Sequence, residues 1–246
     1  MRILFYSFII SISLFACKQK VTDENIAETI LNRSIEVSGG DVIDNSTISF
    51  NFRDRHYKAE RNSGLYKLER NSIDSTRTIL DQISNKGFQR FVNDELQTIP
   101  DSMVVRYSNS VNSVHYFSVL PYGLDDPAVN AEYLGLKVLK GKEYHKIKVT
   151  FDEIGGGDDF EDIFIYWISK DDHKLDYLAY EFHVNGGGIR FREAFNERYI
   201  NGIRFVDYNN LKPMDKKSNL LEIDFLFEEN ILELVSKIEL KNLTVE

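Results

Sequence analysis

The chain has 246 residues, with 30 Lys+Arg against 39 Asp+Glu and a formal net charge of −9, a balance that repels polyanions and argues against a nucleic-acid partner. Cys17 is the one cysteine, which excludes an intramolecular disulfide and a zinc site built on paired thiolates. Hydrophobic residues at 42% and aromatics at 13% are enough for a packed core, and the abundance of Tyr and Phe leans toward sheet.

The first element is a targeting segment. Arg2 precedes an apolar run, Ile3 to Phe15, interrupted by Ser7, Ser11 and Ser13. It is shorter than the roughly 20 residues a helix needs to span a bilayer and reads as the h-region of a signal peptide. The end of the run, Leu14-Phe15-Ala16-Cys17, resembles the lipobox of diderm bacterial lipoproteins. That resemblance implies removal of residues 1–16, acylation of the Cys17 thiol and of its new amine, and a polar tether over residues 17–24. Two or more acyl chains hold a protein stably on a bilayer, at about 0.8 kcal/mol per buried methylene. Lys18 stands where an Asp implies inner-membrane retention in the familiar sorting rule. The implied destination is therefore the outer membrane, in either leaflet.

No Pro, Gly or Ser-rich linker divides residues 25–246, so a single domain is expected there. A helix is predicted from a cap at Thr22 or Asp23, with Ile26, Ala27, Ile30, Leu31 and Ile35 on one face and Gly39-Gly40 as its stop. From Thr47 the period changes to two: Ile48, Phe50 and Phe52 alternate with polar residues, as do Tyr66 and Leu68. Ser84 to Gly87 is a turn. Pro100 and Asp101 open a second helix carrying Val104, Tyr107, Val111, Val114 and Phe117. An irregular excursion, 121–132, follows with Tyr122, Asp125, Asp126 and Asn130, a composition suited to a lid, to a sugar contact or to a packed connector.

Strands resume at Leu134 to Val138 and His145 to Phe151, and Ile163 to Ile168 is apolar on both faces, as in a strand covered on both sides. For the next hairpin a four-residue loop, Asn185 to Gly188, pairs Val184 with Ile189, Phe182 with Phe191 and Leu178 with Phe195, and puts Glu181 opposite Arg192 on the other, exposed face. Asn201-Gly202 makes a tight turn with Ile200 opposite Ile203 and Tyr199 opposite Arg204. Leu221, Ile223, Phe225 and Phe227 read as one more strand, and Leu232 to Leu240 as the last.

The expected fold is mainly antiparallel β with covering helices (α+β), a curved half-barrel-like sheet with helices on its concave face. This order resembles the half-barrel of the periplasmic lipoprotein-carrier family and its outer-membrane receptor. The segments SNSVNSVHYFSVLPYGLDDPAVN (108–130), YWISKDDHKLDYLAY (166–180), GGGIRFREAFN (186–196) and NGIRFVDY (201–208) resemble an uncharacterised flavobacterial lipoprotein family, a domain of unknown function, which implies no activity and no catalytic residues.

Chemistry is sparse. The acidic run Asp152 to Asp162 has oxygen ligands and three glycines, but not the alternating spacing of an EF-hand, and is expected to be a solvated loop without a metal. His115, His145 and His183 sit in no metal-ligand pattern, and no serine sits in a nucleophile elbow. In the chosen register Tyr180, Phe182, Phe191, Glu193, Phe195, Tyr199 and Arg204 line one groove, with the carboxylate and guanidinium as polar anchors or as a buried ion pair. The functional expectation is a non-enzymatic outer-envelope protein, anchored by lipid, holding a lipid-like or other hydrophobic small molecule without any cofactor. A hydrolase using His115 or carboxylates of the excursion, a carbohydrate-binding protein and a structural interaction lipoprotein are the alternatives.

Overall fold

The computed structural model describes residues 23–157, 160–183, 186–215 and 217–246. Cys17 and the signal segment lie outside the described residues, as do Val184 and Asn185 of the predicted loop and Asp158 and Asp159 of the acidic run. The chain opens with α1 (Asp23–Val37), whose Ala27, Ile30, Leu31 and Ile35 are buried at the expected spacing. Gly39, in the left-handed region at φ 86°, joins it to the short α2 (Gly40–Ile43). A Cβ at Gly39 would stand 2.3 Å from the carbonyl oxygen of Gly202. Glycine therefore lets this link lie against the Asn201-Gly202 turn, where Arg204 N–H donates to Ser38 O at 3.1 Å.

Six strands follow as an antiparallel meander: β1 (Thr47–Phe52), β2 (Arg55–Asn62), β3 (Leu65–Asp74), β4 (Arg77–Ser84), β5 (Gly87–Val92) and β6 (Glu95–Leu96). Helix α3 (Asp101–Ser118) separates them from a second meander, β7 (Val129–Leu139), β8 (Lys142–Phe151), β9 (Ile163–Ser169), β10 (Leu175–Phe182), β11 (Gly188–Ile200) and β12 (Ile203–Lys212). The chain closes with α4 (Ile223–Glu228), β13 (Glu233–Ile238) and β14 (Lys241–Val245). β14 adds to the first sheet beside β1 and β13 to the second beside β12, which gives two seven-stranded antiparallel sheets, both open at their edges. Mainly antiparallel β with covering helices is the observed class.

The helices sort the sheet faces. The inner face of the second sheet, including Ile147, Phe164, Tyr166, Leu178 and Tyr208, packs on α1 and on Leu120 and Leu124. Its outer face, with Ile165, Trp167, Ala179 and Phe191, is covered by Leu220, Ile223 and Phe227. Every residue from Phe164 to Ser169 is buried, as expected of a strand covered on both sides. α3 bridges the sheets: Val111 packs with Ala59, Leu68 and Ile83 of the first, while Tyr116 and Phe117 meet Phe164 of the second.

Two expectations are corrected. Residues 221–227 are not a strand, since a 3-10 turn, Leu220–Glu222, runs directly into α4. Leu220, Ile223 and Phe227 recur at helical spacing and bury together, leaving Phe225 62% exposed, and the Asn219 side chain accepts the Leu221 N–H as a cap. The β10–β11 register is also different: Phe182 pairs with Gly188, Glu181 with Ile189, Tyr180 with Arg190, Ala179 with Phe191, Leu178 with Arg192 and Tyr177 with Glu193. The predicted pairs Phe182–Phe191, Leu178–Phe195 and Glu181–Arg192 do not form. The hydrophobic pattern specifies register only when one face is wet, and here both faces are covered. The turn pairs Ile200 with Ile203 and Tyr199 with Arg204 are observed as expected.

Candidate ligand cleft

The register change divides the predicted groove between two faces. Tyr180 and Phe182 lie on the inner face with Arg190 and Arg192, whereas Phe191, Glu193 and Phe195 lie on the outer one. Phe191 is fully buried, its ring 4.5 Å from that of Phe227 under α4. Glu193 accepts from Asn209 Nδ2 at 3.0 Å, and the half-buried Phe195 has Lys237 Nζ 5.4 Å from its ring. Arg204 keeps the Tyr180 face but makes no pair with Glu193. It donates to Leu175 O at 2.9 Å, Asp176 Oδ1 at 3.0 Å and Glu197 Oε1 at 2.5 Å. Exposed Tyr199 stands beside Lys174. Over this part of the second sheet the inner face is filled: the ring of Tyr180 sits 5.4 Å from Phe117 and 5.5 Å from Phe164.

The space that is open lies against the first sheet. Cross-strand pairing sets three neighbouring rows of its inner face: Arg61 with Tyr66; Ala59, Leu68, Ile83 and Phe88; and Tyr57, Arg70, Asp81 and Arg90. α3 docks on the last two rows. Val111 packs on the apolar row, and Ser110 Oγ accepts from Arg70 Nη1 at 2.6 Å. Asp81 neutralises both arginines of the third row, at 2.6 Å from Arg70 Nη2 and 2.6 Å from Arg90 Nε, and Arg90 lies over the Tyr107 ring. The first row is not covered. There α3 presents the short polar side chains of Ser108, Asn109 and Asn112, which leave a cleft of about 520 Å³.

Leu68 and Ile83 form the apolar floor of the cleft, Leu65 and Tyr66 its rim, and Arg61, Asp44, Tyr122 and Asp126 one side, with Gly157 of the acidic loop nearby. The excursion is thus a wall: Tyr122 O–H donates to Asp44 Oδ1 at 2.6 Å, and its ring centre lies 5.4 Å from the Arg61 guanidinium. Burial and the adjoining Asp44 push the Tyr122 phenol up to about 12, so it stays a neutral donor at physiological pH. Asp125 and Asn130 do not line the cleft; Asn130 Nδ2 instead donates to Asp152 Oδ1 at 2.8 Å. Arg61 was not singled out by sequence, because RNSGLYK reads as an ordinary hairpin until the cross-strand rows place the arginine above Leu68.

The histidines are dispersed. His115 is buried under the first sheet, edge-on to Phe50 and Tyr57, with Nε2 3.0 Å from Glu69 O. Burial pushes its imidazole down to about 4, which leaves Nε2 as the donor of a neutral ring. His145 Nδ1 bonds Tyr133 O–H at 3.1 Å on β8, and exposed His183 lies 3.7 Å from Asp162. Among the described residues neither the His115 nor the His145 ring is hydrogen-bonded to a serine or a carboxylate, and no cluster of three metal-ligating side chains occurs.

Comparison with solved structures finds similarity at low sequence identity. A DUF1329 family protein from Desulfovibrio piger matches at 13% identity over 91% of this chain and 93% of its own, with a TM-score of 0.51. A LolA superfamily protein from Nitrosomonas europaea matches at 10% identity over 89% and 91%, with a TM-score of 0.46. The first of these similarities extends to the fold alone. No functionally curated protein shows significant similarity to the chain. The model of DUF6503, described as a family of unknown function, matches residues 4–240, and the chain belongs to that family.

Proposed function

We propose that this is a non-enzymatic lipoprotein of the bacterial outer envelope, tethered by acylated Cys17, that holds a lipid-like ligand in the cleft between α3 and the first sheet. The observation that carries the reading is the cleft of about 520 Å³ that remains between α3 and the first sheet. Leu68 and Ile83 line it from below, buried against Val111 of α3, while Ser108, Asn109 and Asn112 of the same helix leave the space beside them open. The volume of about 520 Å³ falls in the range of small-molecule sites, which combine apolar walls with a few placed polar groups. The lipobox-like run ending at Cys17 supports the anchor, and the strand order resembling lipoprotein carriers supports a lipid as cargo.

The test is native mass spectrometry of the full chain extracted from its own membrane, compared with Asn112→Trp. Asn112 is exposed on α3 and lines the cleft, so an indole there fills the space without entering the core. The wild type is expected to carry a lipid mass that the variant lacks, at an unchanged melting temperature. Equal loading of both, or an empty wild type, rejects the cleft as the site and favours a structural interaction role.

A further inference from the structure

We infer that Arg61 is the headgroup anchor of this cleft, and that the ligand it selects is an acyl chain ending in a carboxylate. The inference rests on the cleft being a ligand site. Arg61 projects from the end of β2 onto the inner face and is the one cationic side chain among the described residues lining the cleft. Arg70 and Arg90, on the same face, share Asp81, and Lys58 and Lys67 of the outer face pair with Glu60 and Glu69. Arg61 has no carboxylate within 4.0 Å among the described residues, and its buried Nη1 has no hydrogen-bond partner among them.

The two lining carboxylates are already engaged. Asp44 accepts from Tyr122 O–H at 2.6 Å, and Asp126 Oδ1 accepts the Ala128 N–H at 2.9 Å. The Arg61 guanidinium is half-buried against the Tyr122 ring without a counter-ion among the described residues, and its planar fork matches a carboxylate through two parallel hydrogen bonds. Burial is also the main influence on Arg61, pushing its pKa down, with smaller opposing effects of Tyr122 and Asp44. On the tail side, Leu65, 65% exposed at the rim, offers apolar surface for a chain to cover, next to Leu68 and Ile83, which line the cleft and are held against Val111. One cation next to an apolar floor is complementary to a singly charged head on an alkyl chain.

The experiment photolabels the full chain in its membrane with a diazirine-bearing hexadecanoic acid and, in parallel, with the matched diazirine alcohol, mapping the cross-linked peptides. The acid is expected to label peptides containing residues 61–68, 83 and 108–112 more strongly than the alcohol. Arg61→Gln should lower labelling by the acid about tenfold and leave the alcohol unchanged, the size expected for a hydrogen-bonded ion pair, while Arg61→Lys falls between. Equal labelling of the wild-type cleft by acid and alcohol overturns the headgroup assignment and leaves the lipid site standing. Labelling of the cleft by neither probe overturns both. The acid-to-alcohol ratio on wild type needs no variant, so it decides the question even if Arg61→Gln does not fold.

Discussion

The guanidinium of Arg192 lies 3.7 Å from the centre of the Phe117 ring, tying the middle of β11 to the last turn of α3. Its Nη2 donates to Tyr180 O–H at 3.0 Å, and no carboxylate lies within 4.0 Å of it among the described residues. Arg192 is therefore a core residue held by an aromatic face. Arg192→Ala is expected to cost about 2 to 4 kcal/mol in urea unfolding, through lost cation–π attraction and lost packing of the stem. Arg192→Met should cost less, because a buried charge exchanged for an apolar chain of similar length avoids the desolvation penalty. A loss under about 0.5 kcal/mol for the alanine variant, typical of surface positions, would contradict this placement.

Phe191 and Phe195 separate in the same way. Phe191 is fully buried among Trp167, Tyr177 and Phe227, and Phe191→Ala should cost about 3 to 5 kcal/mol. Phe195 is half-buried beside a bulge. Phe195→Ala should cost about 1 kcal/mol, near the centre of the distribution for single substitutions, and leave lipid content unchanged in native mass spectrometry. Similar losses for both, or a Phe195 variant emptied of lipid, would return these residues to a common groove.

Helix α4 is pinned by a buried ion pair. Lys146 Nζ donates to Asp224 Oδ2 at 2.7 Å and to Leu221 O at 2.6 Å, beside the face of Trp167. Asp224→Ala leaves the ammonium uncompensated and should cost about 3 to 5 kcal/mol, with faster amide exchange in residues 220–228. The double variant Lys146→Met/Asp224→Leu should recover most of that loss. Recovery below half would show that the pair itself stabilises the fold.

His115 sets an acid limit. Its folded pKa of about 4 lies below the ordinary 6.5, first through burial and then through nearby Arg61 and Arg70. Between these values the unfolded chain binds more protons than the folded one, so stability rises with pH through the window and is lost as pH falls from 6.5 toward 4. The full swing is on the order of 3 kcal/mol. In urea titrations at stepped pH, His115→Gln should show a flatter slope across that window than wild type. An unchanged slope would assign the acid sensitivity to other groups, His145 first among them, since its pKa is also lowered by burial.

For the anchor, Cys17→Ser is expected to leave the body folded and move it from the membrane to the soluble fraction. No helix among the described residues is long and apolar enough to cross a membrane. A variant still sedimenting with membranes, while resisting extraction at high salt, would contradict lipidation at Cys17.

Local chemistry in the sequence determined the elements whose signals are self-contained. The 3–4 spacing of Ala27, Ile30, Leu31 and Ile35 predicts α1, Pro100-Asp101 marks the start of α3, and Asn201-Gly202 fixes its own hairpin register because positive φ at both positions admits few turn types. The same holds for the double burial of β9. Tertiary structure alone decided the rest. Ile223, Phe225 and Phe227 fit a period of two as well as a helix, and the apolar surface of Trp167, Tyr177 and Phe191 selected the helix that places Ile223 and Phe227 inward. The β10–β11 register was illegible because, with both faces covered, Arg192 gains more from Phe117 than a pairing rule foresees. The cleft was illegible too: Arg61, Leu68, Ile83 and Asn112 come from three strands and a helix, and only cross-strand pairing and the docking of α3 bring them to one space.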